Sequence, residues 1–353
     1  MLDASACDQY HHASFFEYGL LGIENILTVM IRLFYLFILG VALSDAFSSQ
    51  FSVYQLLRQA QVLNPETGRY EPALEEYSER DKTLCVLLPQ LGDFDCGEYL
   101  EQLVAVEPEL EAASIDLKVI SIGNAVSARK FSEFIGLDIS KLRVSPDASV
   151  HYSLNLHQGP NWNLSVPAFL PKTVESRLNA WTNYMAMCAG ISAEGTLQEI
   201  FRGYVGDKAA PERLRKDSVV RAGPIKITGT RKVNIGPNIE YEQSWKDEDG
   251  YQRPVELATV RLRNMVEVLS NWNEYVPDDA HLAVRGATFI LDNKSGNVEY
   301  EWRTPGVLTY SATMRRPLMF LEKYIGTEKA MNPLGLGDKA RERWNTNSDL
   351  GIL

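Results

Sequence analysis

Leu84-Cys85-Val86-Leu87-Leu88-Pro89-Gln90-Leu91-Gly92-Asp93-Phe94-Asp95-Cys96-Gly97-Glu98-Tyr99-Leu100 is the stretch from which the fold can be read. Its first half is an apolar run bounded by Lys82 and Pro89, which predicts a short buried strand. Its second half opens a helix near Asp95, because Leu100, Leu103, Val104 and Leu110 recur on one helical face. Asp93 and Asp95 are the N-cap candidates, since a short carboxylate can accept a hydrogen bond from the free first-turn amides. Cys96 then falls in the first turn, where the positive end of the helix dipole favours a thiolate. Strand, turn, cysteine and helix in that order predict a thiol site at the end of a strand.

These residues resemble a known family. Pro89, Asp93 and Cys96 have the spacing of the peroxiredoxin motif Pro-x-x-x-Thr-x-x-Cys, with Asp93 where the motif has threonine. Asp93 and Cys96 also take the two cysteine places of a thioredoxin Cys-x-x-Cys. Downstream, Val284-Arg285-Gly286-Ala287-Thr288-Phe289-Ile290-Leu291-Asp292 is similar to the peroxiredoxin strand Arg-Gly-x-Phe-hydrophobic-hydrophobic-Asp. The chain thus resembles peroxiredoxin-like proteins of the alkyl hydroperoxide reductase and thiol-specific antioxidant group. Within them it is most similar to a cyanobacterial and plastid branch carrying LPQLGDFD-x-x-EY. The resemblance covers residues 81–158 and 281–325 and implies an α/β, thioredoxin-like fold. If the protein is active, it also implies that Cys96, Asp93 and Arg285 form the catalytic group.

The departures bear on chemistry. In a peroxiredoxin the threonine hydroxyl helps hold the peroxide and an arginine stabilises the thiolate. Asp93 puts an acceptor-only negative group in that place, and Asp95 adds a second charge. Like charges disfavour a thiolate, so the Cys96 pKa is expected to be raised, against the pull of the helix dipole and Arg285. No second cysteine lies three residues from Cys96 to close a disulfide.

The whole chain has 353 residues, room for one large or two ordinary domains, with 45% hydrophobic and 23% charged residues. A net charge of −11 argues against general nucleic-acid binding. Cys7, Cys85, Cys96 and Cys188 are scattered without metal-ligand spacing, which reads as a reducing compartment with mostly buried thiols. No cofactor motif is found, and His11-His12 lacks the further ligands that a metal site needs.

Residues 1–50 carry the most hydrophobic segment, Ile23–Phe47, in which Arg32 is the one charge between Glu24 and Asp45. Its length suits a bilayer span of about 20 residues. A central arginine costs about 2.5–3.5 kcal/mol on insertion scales, which several Leu, Ile and Phe at about −0.3 to −0.6 kcal/mol each roughly offset. A spanning helix, an interfacial or partner-bound helix, and burial in the chain's own core all remain open for it. No basic residue precedes Arg32, so the start is neither a signal-peptide n-region nor a transit peptide.

Residues 51–80 read as a short helix and an acidic, solvated connector, and 81–325 as the thioredoxin-fold domain. Leu117–Ile122, Ala125–Gly136 and Leu142–Val144 continue its strand-helix-strand pattern, and Ala287–Trp302 is a hairpin turning at Asn293–Gly296. His151 is read as a surface or capping histidine ahead of a catalytic base. A long helical insertion runs from about 159 to 280, with helices at Val174–Cys188, Thr196–Tyr204 and Leu257–Trp272. Within it Lys208–Lys232 is concentrated in cations; it reads either as a solvated loop and edge strand or as a dock for an acidic protein partner or anionic headgroups, with Arg213, Arg215, Lys216 and Arg221 as the candidates. Arg316 to Tyr324 predicts a last helix, and 326–353 an extended tail.

Three functions follow as expectations. The first is a catalytically weakened peroxiredoxin-like protein serving as a membrane-associated linker or assembly subunit. Its thylakoid setting, in a cyanobacterium or plastid, is implied by the resemblance. The alternative is a one-cysteine thiol peroxidase or reductase using Cys96. A small-molecule binder with a cleft beside Asp93 is a third.

Overall fold

The first central strand, β3 (Lys82–Gln90), is buried along almost its whole length. Its period-two alternation sends Leu84, Val86 and Leu88 into one apolar layer and Cys85 and Leu87 into another. A strand that is apolar on both faces must be covered on both, and this one is. The computed structural model describes residues 52–75, 79–207, 209–213, 225–227, 231–233 and 255–336. The Ile23–Phe47 segment, Arg215, Lys216, Arg221 and the tail beyond 336 lie outside the described residues, within which no helix is long and apolar enough to cross a membrane.

Seven strands form one sheet. In chain order they begin with β1 (Gln61–Leu63) and β2 (Tyr70–Pro72), which follow helix α1 (Val53–Gln59). After β3 come α2 (Phe94–Ala105), α3 (Glu107–Ala112), β4 (Ile115–Ile122), α4 (Ala125–Ile135), β5 (Leu142–Val144) and α5 (Ser149–Ser153). The insertion supplies α6 (Lys172–Cys188), α7 (Thr196–Val205), a separate hairpin β6 (Ile225–Ile227) and β7 (Arg231–Val233), α8 (Glu256–Ser270) and α9 (Trp272–Tyr275). The sheet closes with β8 (Ala287–Asp292) and β9 (Val298–Arg303), followed by α10 (Glu322–Ile325) and α11 (Thr327–Met331). Strand order is β2-β1-β5-β4-β3-β8-β9. β3, β4 and β5 are parallel, while β8 pairs antiparallel to β3 and β9 to β8. This is the thioredoxin-like α/β arrangement expected from the sequence.

Successive parallel crossovers with one hand place α2 and α4 on the same face. There Leu100, Leu103 and Phe131 meet Leu84, Val86 and Leu88, joined by Tyr184, Met187 and Val268 from the insertion. The opposite face is closed by Leu57 of α1 and by Val150 and Leu154 around α5. Residues 52–75 are therefore no solvated connector. Leu57 and Val62 are fully buried, Leu63 pairs with Val144, and the acidic segment adds two strands to the sheet edge. The acids mark its outer side, which composition alone cannot tell from a linker. The last helix is also shorter than expected, beginning as a 3-10 turn at Met319 before α10. The start of the tail is ordered as α11, with Ala330 and Met331 buried.

Two backbone details place the site. Pro89 has no N–H for the ladder, and the β3–β4 register slips between Leu88 and Gln90. Pairing with β8 has already stopped at Leu87–Ala287. β3 thus ends in a turn that leads directly into α2. Gly286, just before β8, lies so close to β3 that a Cβ there would meet the Leu87 carbonyl oxygen at 2.1 Å. Only glycine lets Arg285 approach from that side. Gly286→Ala is expected to lower stability by about 2–3 kcal/mol through a clash with backbone that has nowhere to move. Urea unfolding checks this; a loss within experimental error would mean that the close approach is not required.

Candidate functional site

Asp93 caps α2, as its position after the β3 turn predicts. Its Oδ1 accepts from the Asp95 amide at 3.2 Å. Phe94, Asp95 and Cys96 are then the first three helical residues, so Cys96 sits in the first turn. Its thiol is fully buried and donates to the Gln90 carbonyl at 3.3 Å. Burial pushes the Cys96 thiol well above its ordinary value. Asp93 and Asp95 add to the rise, and Arg285 works against it. The expected direction holds, but its leading cause is desolvation, with like charge second.

Arg285 is also fully buried. Its Nη2 lies 2.8 Å from Asp93 Oδ2 and 2.6 Å from the Leu282 carbonyl, and its guanidinium sits 5.6 Å from the centre of the Tyr184 ring. The structure therefore brings together all three residues predicted from sequence, Asp93, Cys96 and Arg285. It also shows that the arginine is held in a direct ion pair with the carboxylate. A cation so paired gives far less support to a neighbouring sulfur anion than a free one.

Asp95 does something the sequence did not disclose. Its Oδ1 accepts from the Leu308 amide at 2.6 Å. Leu308 has φ of 59°, a left-handed conformation that a branched side chain adopts only when its surroundings hold it there. Val307 is tied by a 2.9 Å bond from its amide to Thr196 Oγ1. Asp95 thus anchors a strap, residues 306–309, against α2. Burial first, then Asp93, push the Asp95 carboxyl well above the usual carboxylate range.

A second buried polar cluster grips the other side of α2. Glu98 Oε2 accepts from Arg261 Nε at 2.7 Å, and Glu98 Oε1 from the Tyr310 hydroxyl at 2.8 Å. Arg261 reaches on to Glu199 of α7 at 3.2 Å, which also binds Arg202 at 2.7 Å. Burial alone would raise the Glu98 carboxyl; Arg261 and Arg213 outweigh it and hold it down to about 2. Arg213 turns inward: its side chain is 6% exposed, 3.5 Å from Glu101, and its amide donates to Glu256. That position leaves Arg213 no face for an outside partner. The links of Glu98 to Arg261 and Tyr310, and of Arg261 to Glu199, span more than 60 residues of sequence; Glu98 and Tyr99, noticed only as the end of a motif, gave no hint of their partners.

His151 is fully buried, with Nε2 2.8 Å from the Leu88 carbonyl, so Nε2 carries the proton and donates. Its place beneath β3 is neither that of a surface cap nor that of an accessible base. Cys85 is core, as expected, and burial pushes it up to about 12. Cys188, half-buried at the end of α6, is also pushed up to about 12 by burial and then by Asp93. The crevice next to Asp93, lined by Phe94, Gly97, Phe131 and Asn264, has room for no more than a single water. Among the described residues this crevice is too small to be the cleft expected there for a small molecule. No group of three or more metal-binding side chains occurs among the described residues.

A family model described as AhpC/TSA antioxidant enzyme matches residues 102–216. The match supports kinship with peroxiredoxin and thioredoxin-like proteins, independently of the Cys96 turn, which lies before it. No curated protein and no solved structure matches the chain.

His151 gives stability a pH dependence. Burial lowers its pKa to about 4, from about 6.5 in the unfolded chain. Between those values the unfolded chain binds the extra proton. Stability is therefore complete above about pH 6.5 and falls as pH drops toward 4, by on the order of 3 kcal/mol. His151→Asn should remove this part of the slope. Urea midpoints of the two proteins at pH 7 and 4.5 measure it; equal slopes would show that His151 is not buried neutral.

Proposed function

We propose that this is a peroxiredoxin-like protein whose thiol site is closed, and that it serves as a membrane-associated linker or assembly subunit. One observation carries the reading: Arg285 is committed to Asp93 at 2.8 Å beside a thiol with no exposed surface. Peroxide reduction needs a thiolate to attack one peroxide oxygen while the O–O bond breaks and the leaving oxygen takes up a proton. Here the thiolate is disfavoured by burial and two carboxylates, and the thiol has no exposed surface for a substrate to reach.

The assembly role is supported by features that a free enzyme does not need. They are the apolar segment Ile23–Phe47, the cation-rich run Lys208–Lys232 and the long tail. With Arg213 buried, docking to an acidic partner falls to Arg215, Lys216 and Arg221. The similarity to a cyanobacterial and plastid branch favours a photosynthetic membrane as the setting.

The test is sulfenate trapping. The full chain is treated with excess hydrogen peroxide at pH 7 in the presence of dimedone, and Cys96 is followed by peptide mass spectrometry. Little adduct is expected for the natural protein. Asp93→Thr, which releases Arg285 and supplies a hydroxyl, should give more. Rapid adduct formation at Cys96 in the natural protein would overturn the proposal in favour of a one-cysteine peroxidase.

A further inference from the structure

Exposed apolar side chains are concentrated in one part of the fold. Among the described residues fifteen large hydrophobic side chains stand exposed; twelve fall between Trp162 and Val205, and the other three are Tyr70, Val126 and Tyr152. The most prominent group is an arm, residues 161–178, in which only Val166 and Glu175 are even half-buried. The arm runs extended from Trp162, turns at 167–170 and returns as the first turns of α6. The turn is closed by the Leu170 amide donating to the Pro167 carbonyl at 2.9 Å. Phe169 stands at its tip, 83% exposed, next to Leu170.

The arm is built to leave water. Two asparagines of α6 pair the peptide groups of Trp162 and Leu164 in its extended half. Asn183 accepts from the Trp162 amide at 2.9 Å and donates to the Trp162 carbonyl at 3.2 Å. Asn179 does the same for Leu164, at 2.7 and 3.2 Å. Peptide groups already paired in this way carry little desolvation penalty, so at Trp162, Leu164 and the 167–170 turn the arm presents apolar side chains on backbone with part of its hydrogen bonding already met. Isolated exposed hydrophobics require no explanation, but a projecting group with its backbone partly paired does.

Charge points to what covers it. No Asp or Glu occurs between Asp147 and Glu175, although the chain as a whole carries −11. From Trp162 to Leu170 there is no charge at all, and Lys172 follows just behind the tip. An uncharged, aromatic and aliphatic tip backed by a lysine complements an anionic lipid surface: the rings and aliphatic groups enter the headgroup and acyl boundary and the ammonium remains at the phosphates.

We propose that residues 161–178 form a lipid-contacting arm that seats Phe169 and Leu170 in the interface of an anionic bilayer. This contact is separate from Ile23–Phe47 and fixes the thioredoxin-like body by its insertion. It does not depend on whether Cys96 is reactive.

Photocrosslinking tests the arm directly in the full chain. Benzoylphenylalanine is placed at position 169, and as a control at the exposed position 126 of α4. Both proteins are irradiated with vesicles of phosphatidylcholine and phosphatidylglycerol, or of phosphatidylcholine alone. The expected result is a lipid adduct at 169 that exceeds the adduct at 126 by ~tenfold and weakens without the anionic lipid. An adduct between two copies of the chain through position 169, or a lipid yield no greater than at 126, would overturn the proposal. Vesicle pelleting of the same samples separates the two membrane readings. A chain that pellets without a lipid adduct at 169 is held by another segment, and the arm proposal alone fails.

Discussion

The ion pair between Asp93 and Arg285 is the constraint on which the rest of the structure depends. It joins the turn after β3 to the residue before Gly286, and so connects the two halves of the thioredoxin-like fold across the insertion between them. Both side chains are buried, and removing either partner of such a pair typically costs about 3–5 kcal/mol because the other charge is left without compensation. Each residue is therefore committed. Asp93 caps α2 with one oxygen and holds Arg285 with the other. The arginine that would support a thiolate is thus used to hold the fold together.

The same economy extends along the first turns of α2. Asp95 anchors the strap at Leu308, Cys96 donates its thiol proton to Gln90, Glu98 receives Arg261 and Tyr310, and Tyr99 bonds Thr288 at 2.9 Å. Asp95, Glu98 and Tyr99 thus pack the insertion and the final strands and loops against the thiol helix. A buried polar network of this kind adds little net stability over an apolar one but specifies a single arrangement. Here that arrangement is a closed one. The insertion, which covers the thiol side of the sheet, also carries the exposed arm at 161–178, so one segment both seals the site and presents a surface.

What could be read from sequence was local. The alternation in β3, the cap at Asp93, the hairpin turn at Asn293–Gly296 and the helices of the insertion all follow from short-range patterns. Arg285 could be placed beside Cys96 because its own stretch resembles a family strand. Residues 51–80 were misread because five acids obscure Leu57, Val62 and Leu74, whose burial depends on pairing with β5 far along the chain. The Glu98–Arg261–Glu199 cluster and the Asp95–Leu308 anchor were illegible for a similar reason: a charged residue looks solvated until its partner is known. His151 was read as exposed on the same ground, though its imidazole bonds the centre of the sheet.

The claim that the site is closed rests on the state of one sulfur. The most direct measurement is the rate of Cys96 alkylation in the native protein against pH, followed on its own peptide, with Cys96→Ser to verify the assignment. The account predicts an apparent pKa above the free-thiol value of about 8.5, and slow reaction throughout, because burial and two carboxylates outweigh the paired arginine. An apparent pKa near ~6 with fast alkylation would contradict it, placing Cys96 among the activated thiolates found at helix N-termini.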